Sequence, residues 1–175
     1  MYIDESTKKF TLTKYAKLLI LFTGLVIGFI ISRIFLFLPF TVKDNSMNPG
    51  LNKGDTIIIF KIGSPKDGDI TLFKSPVHPD TVILKRIITS GEKAVEIKNK
   101  RIFINNTEFS PPWAQLAKDS RVFPEKFANR DNLPQVKMKK GEFFIMGDNR
   151  DYSFDSRDFG PVSEKLSIGR MIYKF

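Results

Sequence analysis

The chain has 175 residues, a formal net charge of +9, no cysteine and one histidine. A protein without cysteine has no disulfide, thiol catalysis or thiolate metal ligand, and a single histidine argues against a histidine-based metal site, so we expect neither a metal nor another cofactor. The length suits a membrane segment followed by one domain rather than two.

The first predicted element is a membrane-spanning helix. Residues 1–17 form a polar tail with four lysines and two acidic residues, and residues 18–38 are apolar apart from Arg33. About 20 such residues cross a bilayer. The stretch ends in Leu38-Pro39-Phe40, without the small residues of a cleavage site, which favours an uncleaved anchor over a cleaved signal peptide. The excess of lysine before it predicts a cytoplasmic N-terminus and a single pass through the cytoplasmic membrane.

Residues 41–175 are then expected to form one extracytoplasmic domain, and we expect it to be monomeric. The net charge beyond Phe40 is +6, because the first forty residues contribute five basic and two acidic groups. These charges are dispersed along the chain and lie outside the cytoplasm. They therefore favour contact with anionic lipid headgroups, not with nucleic acid.

Short apolar or alternating runs, which are typical of β-strands, recur through this domain. They are Thr56–Phe60, Asp69–Phe73, Thr81–Ile88, Val95–Lys98, Arg101–Ile104 and Ile168–Tyr173. Asn99-Lys100 between two of these runs predicts a hairpin. Residues 105–140 are irregular and contain several prolines, so we expect an inserted segment with little regular structure there.

A candidate nucleophile, Ser46, follows the anchor within a few residues in the run Asp44-Asn45-Ser46-Met47-Asn48-Pro49. A loop serine alone is a weak signal, because most such residues cap a turn or face solvent, and a nucleophile needs a base. His78 lies in a proline-flanked turn, where a structural role is the simpler interpretation. A Ser-His-Asp triad is therefore improbable.

Lys85 is the remaining candidate base, because it lies in the middle of an apolar predicted strand. Burial would lower its pKa from about 10.4 toward neutrality and so provide a free amine. Alternatively, Lys85 and Arg86 simply alternate, one facing the core and the other solvent. The spacing does not decide which of the two faces inward.

Ionic and hydroxyl side chains are crowded between glycines in residues 147–160, directly after the apolar run Phe143–Met146. Such charges could belong to a solvated loop. Buried carboxylates and guanidinium groups, however, recover their lost hydration by pairing, so this density at a strand end predicts a fixed polar network.

Taken in order, these motifs resemble bacterial type I signal peptidase over essentially the whole chain. The anchor is followed by Ser46-Met47-x-Pro49, Gly54-Asp55, Lys85-Arg86 and Gly147-Asp148-Asn149-Arg150 with Ser153, Asp155, Ser156 and Arg157. The resemblance implies a mainly β, antiparallel, barrel-like catalytic domain. It also implies a membrane-bound serine endopeptidase with a Ser/Lys dyad, which removes signal peptides from exported preproteins.

The resemblance also implies a role for individual residues. Ser46 would be the nucleophile, Lys85 the general base and Ser153 the hydroxyl that orients the lysine amine. Asp155 and Arg157 would form a supporting ion pair. An extended substrate would add a strand beside residues 69–73 and 82–85. Its small side chains would enter pockets formed by Ile70, Leu72, Val82 and Leu84.

Three positions depart from the family pattern. Asp44 replaces the common Ser or Gly two residues before the nucleophile, Gly50 replaces Thr, and Ser90-Gly91-Glu92 replaces Pro-Gly-Asp. In the family, the position of Asp44 can contribute to the oxyanion hole beside the Ser46 N–H, where a carboxylate would repel negative charge. We therefore expect Asp44 to point toward solvent or the Met47 amide and to leave the Ser46 N–H for the oxyanion.

Two other functions stay open. A non-catalytic relative would only bind exported peptides, although the presence of all five implied site residues disfavours it. A conjugative-transfer maturation peptidase would share the chemistry, and no motif separates it. Self-cleaving repressors with Ser/Lys dyads are excluded, because their DNA-binding helices would have to occupy the residues of the anchor.

Overall fold

A computed structural model of the chain describes residues 5–111, 113, 119–124 and 129–175. Its first element is the helix α1, Glu5–Leu36. Its 24-residue segment Thr13–Leu36 contains an 18-residue stretch with a mean hydropathy of 2.4, and by length and composition the segment could cross a membrane. The predicted anchor over residues 18–38 thus lies in this helix, apart from its last two residues, which begin the first strand.

The rest of the described chain, from Leu38 onward, is a separate compact unit built mainly from β-strands. The larger sheet has seven strands in the order β1-β2-β11-β3-β4-β9-β10. They are β1 (Phe37–Thr41), β2 (Thr56–Phe60), β3 (Ile70–Lys74), β4 (Val82–Ser90), β9 (Glu142–Met146), β10 (Val162–Ser163) and β11 (Ser167–Lys174). The pairings from β2 through β10 are antiparallel, which confirms the expected fold class.

A second antiparallel sheet has the order β7-β6-β5-β8. Its strands are β5 (Ala94–Lys98), β6 (Arg101–Ile104), β7 (Thr107–Phe109) and β8 (Leu133–Lys137). Asn99 and Lys100 form the predicted hairpin turn with φ of 48° and 69°, as a type I′ turn requires. A second turn of this kind, at Asn105-Asn106, joins β6 to β7.

The expectation that residues 105–140 have little regular structure is wrong at β7 and β8. The strand β7 has only three residues, too few to display a period of two along the sequence. The strand β8 contains Pro134, which is tolerated because β8 lies at the edge of its sheet. Residues 112, 114–118 and 125–128 of the segment lie outside the described part.

Three apolar clusters form the core of this unit. One lies between the sheets and comprises Ile88, Val95, Ile97, Ile102, Leu133, Met138, Phe144 and Met146. The second contains Val42, Met47, Leu51, Ile57, Ile59, Leu72 and Leu84, and the third contains Phe73, Ile87, Phe143, Ile145 and Val162. The second cluster fixes the loop that carries Ser46, because Met47 and Leu51 are almost completely buried in it. Each such side chain stabilises the fold by about 1.5–3 kcal/mol.

Candidate active site

Ser46 lies in the loop between β1 and β2 and is itself buried, with 6% of its surface exposed. Its backbone carbonyl accepts a hydrogen bond from the Asn149 N–H at 2.9 Å, and the Asn149 side chain donates to the Asn45 carbonyl at 3.1 Å. These bonds join the Ser46 loop to the segment after β9. The Ser46 hydroxyl oxygen is buried and has no hydrogen-bond partner in the described structure.

Lys85 lies in β4 and is 97% buried, whereas Arg86 turns to the opposite face of the strand and pairs with Asp148. The structure therefore decides which of the two basic residues faces inward. Burial lowers the pKa of Lys85, and this effect exceeds the opposing effects of the Asp155 and Asp44 charges, which raise it. The cross-strand neighbour of Lys85 is Thr71, whose buried hydroxyl has no partner among the described residues.

Ser46, Lys85 and Ser153 converge around Gly147. Arg86 pairs with Met146 across β4 and β9, and extending this antiparallel register by one residue sets Lys85 opposite Gly147. A Cβ atom added to Gly147 would lie 2.5 Å from the Ser153 Cβ and 2.5 Å from the Ser46 carbonyl oxygen. Only a residue without a side chain permits this approach. The structure thus brings together the three residues that the sequence placed far apart.

Asp155 and Arg157 form a buried bidentate pair beside this point. The Arg157 Nε and Nη2 atoms each donate to an Asp155 carboxylate oxygen at 2.9 Å, and Asp155 also accepts from the Gly147 N–H at 3.0 Å. Burial alone would raise the pKa of Asp155, but the Arg157 charge and these hydrogen bonds hold that pKa below its usual value. Arg157 further donates to the carbonyls of Arg150 and Ser153, and so orders the loop that carries Ser153.

The expectation that Asp44 leaves the Ser46 N–H free is wrong. The Asp44 Oδ1 atom accepts a hydrogen bond from that N–H at 2.8 Å. An aspartate readily binds the amide two residues ahead, which is the geometry of an Asx turn. Burial raises the pKa of Asp44, but the neighbouring hydroxyl and amide of Ser46 and the charge of Lys85 bring that pKa below its usual value. The hydroxyl is near the carboxylate without forming a well-aligned hydrogen bond to it.

The strands expected to bind substrate differ from one another in their free edges. β3 is paired with β4 on one edge and with β11 on the other, so an added strand beside residues 69–73 is ruled out. β4 pairs with β9 only from Arg86 onward, and no described strand covers the same edge at residues 82–85. Of the two expected segments, only Val82–Lys85 therefore has a strand edge open to main-chain addition.

The four expected pocket residues share one face of the sheet. Leu72 and Leu84 belong to the second apolar cluster, and Ile70 and Val82 pack against it. Met47, next to the candidate nucleophile, lies in the same cluster. Although β3 cannot accept a substrate strand, its side chains can thus line an apolar pocket close to Ser46.

The ion pair between Arg86 and Asp148 was not identified as part of the site from the sequence. The Arg86 Nε and Nη2 atoms donate to the two Asp148 oxygens at 2.8 and 2.6 Å, and the guanidinium lies 4.9 Å from the centre of the Trp113 ring. A Cβ atom on Gly50 would lie 3.1 Å from an Asp148 oxygen. The sequence did contain a signal for this pair, because Arg86 and Asp148 have opposite charges and directly follow Lys85 and Gly147.

The remaining residues singled out in the sequence lie in a turn or at the end of a strand. His78 is exposed in the turn between β3 and β4, where its carbonyl accepts from the Thr81 N–H at 2.9 Å. Ser90, one of the departures from the family pattern, donates its hydroxyl to Asp67 at 2.6 Å. Within the described residues, no group of three histidine, aspartate or glutamate side chains is arranged to hold a metal ion.

Comparison with known proteins gives consistent results. The family described as "Signal peptidase, peptidase S26" matches residues 12–175. Signal peptidase I V of Bacillus subtilis (strain 168) is 33% identical over 141 residues, which are 76% of this chain and 82% of that protein. Signal peptidase IB of Staphylococcus aureus (strain COL) is 30% identical over 162 residues, with coverage of 86% and 83%. The crystal structure of a signal peptidase I from Enterococcus faecalis V583 has a TM-score of 0.50 and 26% identity, and covers 63% of this chain and 99% of that one.

Proposed function

The chain belongs to the peptidase S26 family of signal peptidases, and from that premise we propose how its own residues cleave a signal peptide from an exported preprotein. It is a serine endopeptidase of the signal peptidase I type. We assign the nucleophile to Ser46, the general base to Lys85 and the orientation of the lysine amine to Ser153.

The convergence at Gly147 is the observation that carries this assignment. It gathers a buried lysine with a lowered pKa and two buried hydroxyls that have no well-aligned hydrogen-bond partner in the described structure. Unpartnered buried polar groups are costly, and they are found together where a site requires them. A purely structural lysine would instead be expected in a direct salt bridge.

In the proposed reaction, the neutral Lys85 amine takes the proton of the Ser46 hydroxyl as its oxygen attacks the carbonyl carbon of the scissile bond. The carbonyl oxygen becomes an oxyanion, which the Ser46 N–H would stabilise. The Lys85 ammonium then protonates the leaving amine and an acyl-enzyme remains. A water molecule, deprotonated by Lys85, hydrolyses this ester and restores Ser46. The charges of Asp155 and Asp44 favour the transient ammonium.

The substrate segment before the cleavage site would lie extended against the uncovered edge of β4 at residues 82–85. Backbone hydrogen bonds would give affinity there, and the apolar surface around Leu72 and Leu84 would accept small side chains. This surface would therefore select the substrate side chains that precede the cleavage site, while hydrogen bonds to β4 hold the substrate backbone in place.

We further assign a single-pass topology, with residues 1–17 in the cytoplasm and residues 41–175 on the outer side of the cytoplasmic membrane. The lysines that precede the apolar part of α1 support this orientation. The preprotein substrates present their signal peptides at that same membrane surface.

The assignment is tested by cleavage of a preprotein with alanines before its cleavage site, in detergent. Ser46→Ala and Lys85→Met should each abolish release of the mature product, because each removes one half of the dyad. Ser153→Ala should slow cleavage less than Lys85→Met, since it loosens the base without removing it. The matched controls Ser64→Ala and Lys74→Met change exposed residues and should cleave like the wild type. Normal turnover by either dyad variant would contradict the mechanism.

A further inference from the structure

The Asp44 side chain binds the one backbone donor that the proposed reaction needs. Its Oδ1 atom accepts from the Ser46 N–H at 2.8 Å, while the adjacent Ser46 hydroxyl oxygen is buried. Both reactive features of the nucleophile are thus occupied or covered in the free protein. A substrate carbonyl oxygen and the Asp44 carboxylate cannot use the same N–H at once with good geometry.

We propose that Asp44 is an internal blocking group, which occupies the oxyanion position in the free enzyme and must be displaced by each substrate before acylation. This inference rests on the proposed role of Ser46. It makes Asp44 a residue that sets the threshold for cleavage, since only a substrate anchored well along the β4 edge holds its carbonyl against the competing carboxylate.

The carboxylate is able to leave. Asp44 is exposed, and its hydrogen bond from the Ser46 N–H is a local contact within a turn, so rotation of its side chain exposes the N–H without unfolding the loop. The Val42 side chain and the Met47 side chain, on either side of the turn, remain anchored in the core. The displacement therefore involves one side chain and no rearrangement of the sheet.

Release also agrees with the charge changes of the reaction. The charge of Asp44 acts on Lys85, which becomes an ammonium as it takes the Ser46 proton. A released carboxylate can stay within range of that ammonium, while the N–H that it vacates receives the oxyanion. Blocking in the resting state and stabilisation during acylation can therefore come from the same side chain in two orientations.

Kinetics of Asp44→Gly test the block directly. Freeing the Ser46 N–H from a charge-assisted hydrogen bond should raise kcat/KM for the preprotein by about 10- to 100-fold, because this gain outweighs the loss of the weaker effect of the Asp44 charge on the Lys85 ammonium. A peptide aldehyde, which forms a tetrahedral adduct with Ser46, should bind tighter by a similar factor. Asp44→Asn keeps an acceptor without the charge and should give a smaller increase. Lys43→Gly loosens the neighbouring backbone but keeps Asp44, and should leave the rate unchanged. Asp44→Ser replaces the glycine variant if that variant does not fold.

The Ser46 amide gives a readout that does not need activity. In the wild type its NMR proton resonance should lie downfield and exchange slowly with solvent, and Asp44→Gly should move it upfield and speed the exchange. An unchanged amide, or a kcat/KM that stays within about twofold or falls in a folded Asp44→Gly variant, would overturn the block. Failure of the assigned nucleophile is distinct, because it would appear as activity in Ser46→Ala whatever the amide does.

Discussion

At the scale of the residue, Lys85 combines an energetic cost with a chemical use. Burial destabilises its ammonium form relative to the neutral amine, and this destabilisation lowers the pKa of Lys85. A lysine that must act as a base benefits from this environment, but a fold selected only for stability would not contain it. The site thus exchanges stability for reactivity, a common pattern in enzymes.

This exchange predicts a pH-dependent gain in stability for Lys85→Met. Because the pKa is lower in the folded than in the unfolded chain, the unfolded chain binds more protons between the two values, and wild-type stability rises with pH there. Below both values, the cost of the buried ammonium is complete. The methionine variant should therefore be more stable by about 1–4 kcal/mol near neutral pH, and this gain should shrink toward about pH 10.

Urea unfolding across this pH range provides the measurement. The exposed Lys74→Met variant on the neighbouring strand is the control, and its difference from wild type should stay constant. A gain that widens as the pH rises would show that the Lys85 ammonium is stabilised by the fold, contrary to the lowered pKa.

In activity assays, turnover should rise with pH through the lowered Lys85 pKa, since only the neutral amine accepts the Ser46 proton.

At two positions the sequence alone did not predict the side-chain orientation correctly. The apolar run around Lys85 indicated burial of a basic residue, yet the choice between Lys85 and Arg86 required the Asp148 partner, 62 positions away in sequence. The orientation of Asp44 was predicted incorrectly, because the prediction considered only the reacting state, in which a carboxylate would repel the oxyanion. In the free state no oxyanion competes, and the Asp44 carboxylate accepts the hydrogen bond of the Ser46 N–H.

At the scale of the element, two tight turns determine the second sheet. Asn99-Lys100 and Asn105-Asn106 have positive φ at both central positions, a conformation that costs most residues energy and that asparagine tolerates. The first turn was predictable because long alternating runs flank it. The second precedes a strand of only three residues, which is too short to show an alternating pattern.

The turn between β6 and β7 can therefore be improved. Asn106 has a φ of 66°, which glycine adopts without strain, so Asn106→Gly should stabilise the domain by about 0.5 kcal/mol. Its exposed side-chain contact with Gln135, at 3.3 Å, is a small loss. The β-branched control Asn106→Val should destabilise by about 1–2 kcal/mol. Equal or inverted effects in thermal unfolding would refute the assigned turn geometry.

Strand order could not be obtained from the runs themselves. Alternation identified β2 to β6 and β11 as strands, but it contains no information on which edges are covered. The C-terminal strand β11 lies between β2 and β3, and this placement closes the edge of β3 on which a substrate strand was expected. Pairing between distant segments depends on tertiary packing, whereas periodicity reports only local structure.

At the scale of the whole molecule, the described chain consists of the helix α1 and an independent β unit. Among the described residues, those that form the three core clusters all follow Phe37. The apolar side chains of Thr13–Leu36 are exposed and need another environment, which a bilayer supplies. Composition and length predicted this division, because a long uncharged stretch differs so clearly from the alternating runs that follow.

A chain lacking residues 1–36 should thus keep its catalytic fold. It should unfold at the temperature of the full domain and cleave a soluble peptide at an unchanged rate, because the cores and the Gly147 convergence are intact. Cleavage of a preprotein in lipid vesicles should fall by about 100-fold, since the anchor no longer concentrates enzyme and substrate on one surface. Restoring 24 residues of unrelated apolar helix should recover that rate, and a loss of peptide cleavage would contradict the division.

The close approach at Gly147 has a consequence for the history of the chain. Ancestral drift can exchange an exposed residue such as Ser64 freely, but a methyl group at position 147 meets both the Ser153 side chain and a main-chain oxygen of Ser46. A smaller residue at 153 would relieve only the first of these clashes. A compensating substitution at position 153 alone therefore cannot rescue the change. A chain that keeps Ser46 and Ser153 this close together must therefore keep glycine at position 147.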